Sequence, residues 1–196
     1  MARTYKSYKA LVFDFDGTLV NSISAHLQAW QDVMAGFGVY MEAESFRKYV
    51  GTSPWEICAT LAEEHHLSID IEAVTEKKAR RYLEYLDRVT LIEPVVQIAR
   101  EQYGKVPLAV ATGNLQWVAE ETLKVKGIRQ YFELVLSSKD MPQSKPAPDV
   151  YLEAARRMGI SPRDCCAFED SPVGLQAARD AGMDVVNVHE FFQVPR

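Results

Sequence analysis

The sequence predicts an α/β fold: a doubly wound, Rossmann-like parallel sheet core with a small α-helical cap inserted after the first strand. Three observations carry this. Five short apolar runs lack polar alternation, which suits strands buried on both faces of a parallel sheet. Helical stretches closed by glycine separate the later runs and give successive βα units. The stretch from about Ile23 to Arg88 reads as almost all helix and so cannot join the sheet.

The first run, Ala10–Phe13, ends at Asp14. Leu108–Ala111 ends at Thr112, and Leu134–Leu136 ends near Ser137. Cys165–Phe168 ends at Glu169 and Asp170, and Val185–Val188 is the last run. Helices are expected over Gln116–Lys126 before Gly127, Pro148–Met158 before Gly159 and Pro172–Ala181 before Gly182, each glycine being a good C-terminal stop. Ser171 suits an N-cap with Pro172 at the first helical position. Inside the helical insert, turns fall near Gly36–Gly38, Gly51–Pro54 and Ser68–Asp70. The insert should sit over the sheet edge as a cap. The chain leaves near Val20–Ser22 and returns near Thr90–Pro94, and two such crossings make a natural hinge. The expected division is 1–21 and 90–196 for the core and 22–89 for the cap.

The chain has 196 residues, enough for one good core and a smaller unit. Its 47% hydrophobic and 25% charged residues are ordinary for a globular protein. No apolar run approaches the roughly 20 residues of a membrane span. The basic start, MARTYKSYK, lacks a signal-peptide core, so a cytoplasmic protein is expected. A net charge of -5 argues against nucleic acid as a partner. Three cysteines, Cys58, Cys165 and Cys166, form no disulfide framework, and the adjacent pair reads as small strand fillers.

The chemistry lies at the strand ends. In open α/β sheets ligands bind beyond the carboxyl ends of the strands. Asp14, Asp16, Thr112, Lys145 (in the loop that follows the third run), Glu169 and Asp170 all fall there. A carboxylate at the tip of an apolar strand costs desolvation unless something compensates. Asp14 and Asp16 share one side of an extended chain, and Gly17 permits a sharp turn. Together with Glu169 and Asp170 they would repel strongly. A hard divalent cation relieves that, and a small set of oxygen ligands suits Mg²⁺. Lys145 adds a positive charge, and a phosphate dianion completes the balance. Taken singly, these residues have plainer readings. Asp14–Thr18 fits a solvated strand–turn, Thr112-Gly113-Asn114 a helix cap, Lys145 a solvated lysine and Glu169-Asp170-Ser171 a dipole-complementing cap. Their convergence in order at strand ends favours phosphoryl chemistry.

These residues sit in specific motifs: VFDFDGTLV at 12–20, VATGN at 110–114, KPAPDVYLEAARRMGI at 145–160 and FEDSPVGLQAARDAGM at 168–183. Across essentially its whole length the chain resembles the haloacid dehalogenase superfamily. The nearest branch is that of β-phosphoglucomutase and fructose-1-phosphate phosphatase-like proteins. The resemblance implies that Asp14 attacks phosphorus and becomes an aspartyl phosphate. It implies that Asp16 protonates the leaving oxygen and then activates water. Thr112 would bond the phosphoryl oxygens, and Lys145 would neutralise Asp14 and the phosphate. Mg²⁺ would be held by Asp14, Asp170 and the backbone carbonyl of Asp16, with Glu169 bound directly or through water. Substrate contacts are implied for Gly17, Thr18, Gly113 and Asn114 in the core and for His26, Gly51 and Lys78 in the cap.

His26, Trp30, Val33 and Phe37 recur at helical spacing, so His26 also fits a packed structural stripe. The resemblance instead places it near the site, coupling cap closure to Asp16. Lys78, or its neighbour Lys77, resembles a substrate-facing cap lysine, and a solvated helix lysine is the plain alternative. Two residues depart from the family pattern. Asn21 replaces an aspartate before Ser22 in the first hinge. Pro54 stands where the mutase branch carries an arginine that grips a second phosphate, and proline cannot supply that grip. The expected activity is therefore Mg-dependent hydrolysis of a small phosphomonoester, a sugar phosphate, by a monomer. A hexose phosphomutase is the alternative, and a non-catalytic binding protein on the same scaffold is the third reading.

Overall fold

The computed structural model describes residues 5–49 and 51–192. Strand β1 (Ala10–Phe13) is apolar and buried at every position. A short strand β2 (Val20–Asn21) leads into helices α1 (Ile23–Ala35), α2 (Ala43–Phe46), α3 (Pro54–Glu64) and α4 (Ile71–Leu83). The chain returns through β3 (Thr90–Leu91) and α5 (Glu93–Gln102). Strands and helices then alternate: β4 (Leu108–Thr112), α6 (Gln116–Val125), β5 (Leu134–Ser137), α7 (Asp149–Met158), β6 (Cys165–Glu169), α8 (Pro172–Asp180), β7 (Asp184–Asn187) and α9 (Val188–Phe192).

The main sheet has the order β5-β4-β1-β6-β7, and its neighbouring strands are parallel. β1 lies at the centre, with Phe13 opposite Val110 on one side and Phe168 on the other. Side chains alternate between the two faces. Leu11 and Phe13 join α5 and α6 residues such as Val96, Ala99 and Leu123 in one apolar cluster. Ala10 and Val12 join α7 and α8 residues such as Val150, Ala154 and Ala178 in another. The second face is rich in alanine, which lets α7 and α8 approach the sheet closely. Phe13 stacks on Phe168 with ring centroids 4.8 Å apart. Cys165 and Cys166 are buried free thiols in β6, as expected of fillers. No helix among the described residues is long and apolar enough to cross a membrane.

β2 and β3 pair antiparallel, Val20 opposite Leu91 and Asn21 opposite Thr90. The Ile92 N–H also donates to the Leu19 carbonyl at 2.9 Å. This ribbon is where the chain enters and leaves the helical segment. That segment has its own apolar cluster, which includes Trp30, Met34, Phe46, Ile57 and Leu61. α3 opens with a capping box: Ser53 Oγ accepts from the Glu56 N–H, and the Ser53 N–H donates to the Glu56 carboxylate at 3.0 Å. Asp70 caps α4 by accepting from the Ala73 N–H at 3.1 Å.

Three expectations need correction. Val188 begins α9 instead of ending the last strand. α5 has no counterpart among the expected helices, although Pro94 at its start and the buried Val95, Val96, Ile98 and Ala99 build an amphipathic helix. Phe37 leaves the helical stripe: α1 stops at Ala35, and Phe37 is 37% exposed.

Candidate active site

Asp14 follows β1, and its N–H donates to the Phe168 carbonyl at 2.9 Å, which anchors it between β1 and β6. Its Oδ1 accepts from Lys145 Nζ at 2.7 Å. Lys145 also donates to the Ala111 carbonyl and to Glu169 Oε2, each at 3.0 Å. An ammonium has three donors, so all are spent. Glu169 is fully buried and fully engaged. Its Oε1 accepts the N–H groups of Asp170 and Ser171 and the Ser171 hydroxyl, and its Oε2 also accepts the Tyr151 hydroxyl at 3.1 Å.

One buried cation thus faces three carboxylates. Burial raises the pKa of Asp14, Glu169 adds to the rise and Lys145 resists it. Burial also raises Asp170, with Asp14 and Glu169 adding to it. Burial would lower Lys145, but Asp14 and Glu169 overcome that and hold it well above the usual lysine range. Asp14, Glu169 and Asp170 each present an oxygen within 4.8 Å of the others. An all-oxygen, over-negative set of this kind fits a hard divalent cation such as Mg²⁺. With both Glu169 oxygens engaged, the open positions lie on Asp14 and Asp170. Gly17 shapes the same spot: its φ is +89°, and a Cβ there would lie 2.2 Å from Asp170 Oδ2. The Thr18 hydroxyl donates to Asp170 Oδ1 at 3.3 Å.

Asp16 belongs to a second network. Its Oδ1 accepts from the Ser22 hydroxyl at 2.6 Å and from His26 Nε2 at 2.9 Å, and its Oδ2 accepts from Asn114 Nδ2 at 3.3 Å. Lys78 Nζ donates to His26 Nδ1 at 2.8 Å, which leaves the imidazole proton on Nε2 facing Asp16. His26 stacks on Tyr82 with centroids 4.1 Å apart, and Lys78 lies 5.4 Å from the Trp30 ring centroid. Burial works against the Asp16 carboxylate, but the hydrogen bonds from His26 and Ser22 and the charge of Lys78 bring its pKa down to about 2. Burial and Lys78 both depress His26, against Asp16. Burial brings Lys78 down to about 8. The carboxylate is charged, the imidazole is neutral and the ammonium ends the chain.

Both networks meet at a cavity of about 100 Å³ between the sheet and the helical segment. Asp14, Asp16, Thr112, Lys145 and Asp170 line its core side, with Gly113 and Asn114. His26, Gly51 and Lys78 line the opposite side, together with the apolar Trp30, Phe46, Tyr49 and Ile57. Pro54 is buried in the wall at the first position of α3. Gly51, at φ +86°, brings this loop so close to the core that a Cβ would lie 3.0 Å from Ser171 Cβ.

Most of the expected site residues are therefore gathered together. Gly17 and Thr18 are the exceptions: they lie behind Asp170, away from the cavity wall, because the turn they form packs on that carboxylate. Glu169 likewise sits beneath the floor. Lys78 is buried, whereas Lys77 is exposed. Tyr151 was missed. A polar aromatic between Val150 and Ala154 on a core-facing helix stripe was its only sequence signal.

An open parallel sheet that gathers paired aspartates, a buried lysine and an acidic pair at its carboxyl edge is the arrangement of an α/β enzyme whose site lies beyond the strand ends. The sequence profile of the haloacid dehalogenase-like hydrolases matches residues 11–188. Fructose-1-phosphate phosphatase YqaB of Escherichia coli (strain K12) is 35% identical over 185 residues, covering 94% of this chain and 98% of that protein. Protein CbbY of Rhodobacter capsulatus is 34% identical, covering 91% and 84%. The crystal structure of CbbY from Rhodobacter sphaeroides in complex with phosphate superposes with a TM-score of 0.82 at 26% identity, over 91% of this chain and 84% of that one. The chain belongs to the haloacid dehalogenase-like hydrolase family.

Proposed function

We propose that this protein is a phosphatase that hydrolyses a small phosphomonoester, a sugar monophosphate, through an aspartyl phosphate on Asp14. The observation that carries this is the placement of Asp14. It sits on the cavity floor, with Oδ1 held by Lys145 and Oδ2 free of hydrogen bonds among the described residues. The chemistry of the donor set supports Mg²⁺ held by Asp14, Asp170 and the Asp16 carbonyl. Bound there, the cation would offset the charge of the carboxylates and of the phosphoryl oxygens. Glu169 holds Lys145 in place beneath it.

In the first step Asp14 Oδ2 forms a bond to phosphorus as the ester P–O bond breaks. Asp16 passes the departing alkoxide a proton that it takes from His26 Nε2, while Lys78 Nζ gives one to His26 Nδ1. Lys145, whose three donors are already engaged, attracts the phosphoryl oxygens by its charge, and the Thr112 hydroxyl donates to them. In the second step Asp16 takes a proton from water, whose oxygen attacks phosphorus, and Asp14 leaves with free phosphate as the product. Residues 22–89 act as a cap that shields both steps from bulk water, with β2 and β3 as its hinge. The cap of the same chain completes the cavity, which supports action as a monomer, and the three free thiols, none in a disulfide, favour a reducing, cytoplasmic setting.

Pro54 in the cavity wall favours water over a second sugar phosphate as acceptor, since no bidentate phosphate grip stands there. The relative that is a fructose-1-phosphate phosphatase points the same way. Purified protein with Mg²⁺ should release phosphate from fructose 1-phosphate or a related sugar monophosphate, and Asp14→Asn should abolish the release. Formation of glucose 6-phosphate from β-glucose 1-phosphate without free phosphate would establish the mutase instead.

A further inference from the structure

One side chain beside the carboxylate cluster has no part in the mechanism above. β7 pairs with β6 so that Asn187 stands opposite Glu169, and the chain turns directly into α9. Asn187 Oδ1 accepts the His189 N–H at 3.1 Å, and Asn187 Nδ2 donates to Glu190 at 3.0 Å, which ties down the turn. His189 is thereby carried to Asp170, with Nε2 3.7 Å from Asp170 Oδ2. The other ring nitrogen, Nδ1, is buried and has no partner among the described residues. The imidazole therefore has one polar outlet, the Asp170 carboxylate. A neutral ring with its proton on Nε2 directs that proton at Oδ2.

We propose that His189 is a positioning residue for the metal site, holding Asp170 in the orientation that offers an oxygen beside Asp14. Asp170 is restrained from two sides: Thr18 donates to Oδ1 at 3.3 Å, and His189 faces Oδ2. The 3.7 Å contact is longer than a hydrogen bond and acts as an electrostatic restraint that needs no charge on the ring. Groups that orient a ligating carboxylate are worth roughly 10–100-fold in metal affinity. The inference rests on the Mg²⁺ reading given above.

Calorimetric titration of Mg²⁺ into native protein, His189→Ala and His189→Gln, without substrate, tests it. The alanine variant should bind Mg²⁺ at least about tenfold more weakly, and glutamine, which keeps an N–H donor, should recover most of that. At saturating Mg²⁺ the KM for the sugar phosphate should stay at its native value, which a general loss of structure would not allow. His189→Leu, which keeps the volume, replaces alanine if that variant does not fold. Native protein that binds no Mg²⁺ overturns the metal reading and this inference together. Native binding with variants of unchanged affinity, or a glutamine variant as weak as alanine, overturns this inference alone.

Discussion

Lys78→Met probes the least comfortable charge in the cavity wall. Lys78 is 3% exposed, and burial brings its pKa from 10.5 to about 8, with Asp16 resisting the fall. That fall corresponds to about 3 kcal/mol against the ammonium inside the fold. The folded pKa lies below the unfolded one, so the penalty is complete below about pH 8, shrinks as pH rises and is gone above 10.5. Methionine keeps the unbranched stem and carries no charge. It forfeits the ammonium contacts with the Trp30 and Tyr82 rings, at 5.4 and 5.6 Å, and the hydrogen bond to His26. Those losses return about 1–2 kcal/mol of the gain. The expected net effect is a stabilisation of about 1–2 kcal/mol at pH 7 that vanishes by about pH 10. Urea unfolding of both proteins at the two pH values measures it, provided the m-values match. Turnover should fall at the same time, because His26 loses the donor that fixes its tautomer. A variant less stable than native at pH 7, or a gain that does not change with pH, refutes this reasoning.

Gly17→Ala should lose Mg²⁺ binding and about 1–3 kcal/mol of stability, since a Cβ would overlap the Asp170 carboxylate at a left-handed φ. Calorimetry and denaturant midpoints would read both effects. Tyr151→Phe removes a buried hydroxyl donated to Glu169 at 3.1 Å and should cost about 1–2 kcal/mol, with Lys145 still over the ring. Chelation of divalent cations should end phosphate release, and restored Mg²⁺ should raise the thermal midpoint by relieving repulsion among Asp14, Glu169 and Asp170. Lys139 of the core pairs with Glu72 of α4 and lies 4.3 Å from the Trp55 ring centroid. Because Glu72 is well exposed, Lys139→Ala should cost under about 1 kcal/mol of stability and show its effect as a raised KM and a shifted tryptophan emission.

The strands were legible because each is a short apolar run with a polar residue at its tip. The Ala10–Phe13 bounds come out unchanged. The helix stops at Gly127, Gly159 and Gly182 were legible for a local reason: all three adopt the positive φ that glycine tolerates. α5 was hidden behind Pro94, which reads equally as a hinge and as a helix start. Phe37 misled because helical spacing continues on paper past Gly36, while the helix ends at Ala35.

Local chemistry is what the sequence by itself determined: an apolar strand that ends in Asp14, a partner at Asp16, Lys145 in the loop after a later strand and Asp170 just past β6. Such features depend on neighbours in the chain and on parallel-sheet topology, so spacing reveals them. The tertiary structure alone decided how these groups divide. Asp14 and Asp16 are two residues apart, yet one joins Lys145, 131 positions away, and the other joins His26, backed by Lys78 another 52 positions on. Folding also placed Gly17 and Thr18 behind Asp170 and brought His189 alongside it. Those assignments depend on which surfaces pack together, and long-range packing leaves no periodic mark in the chain.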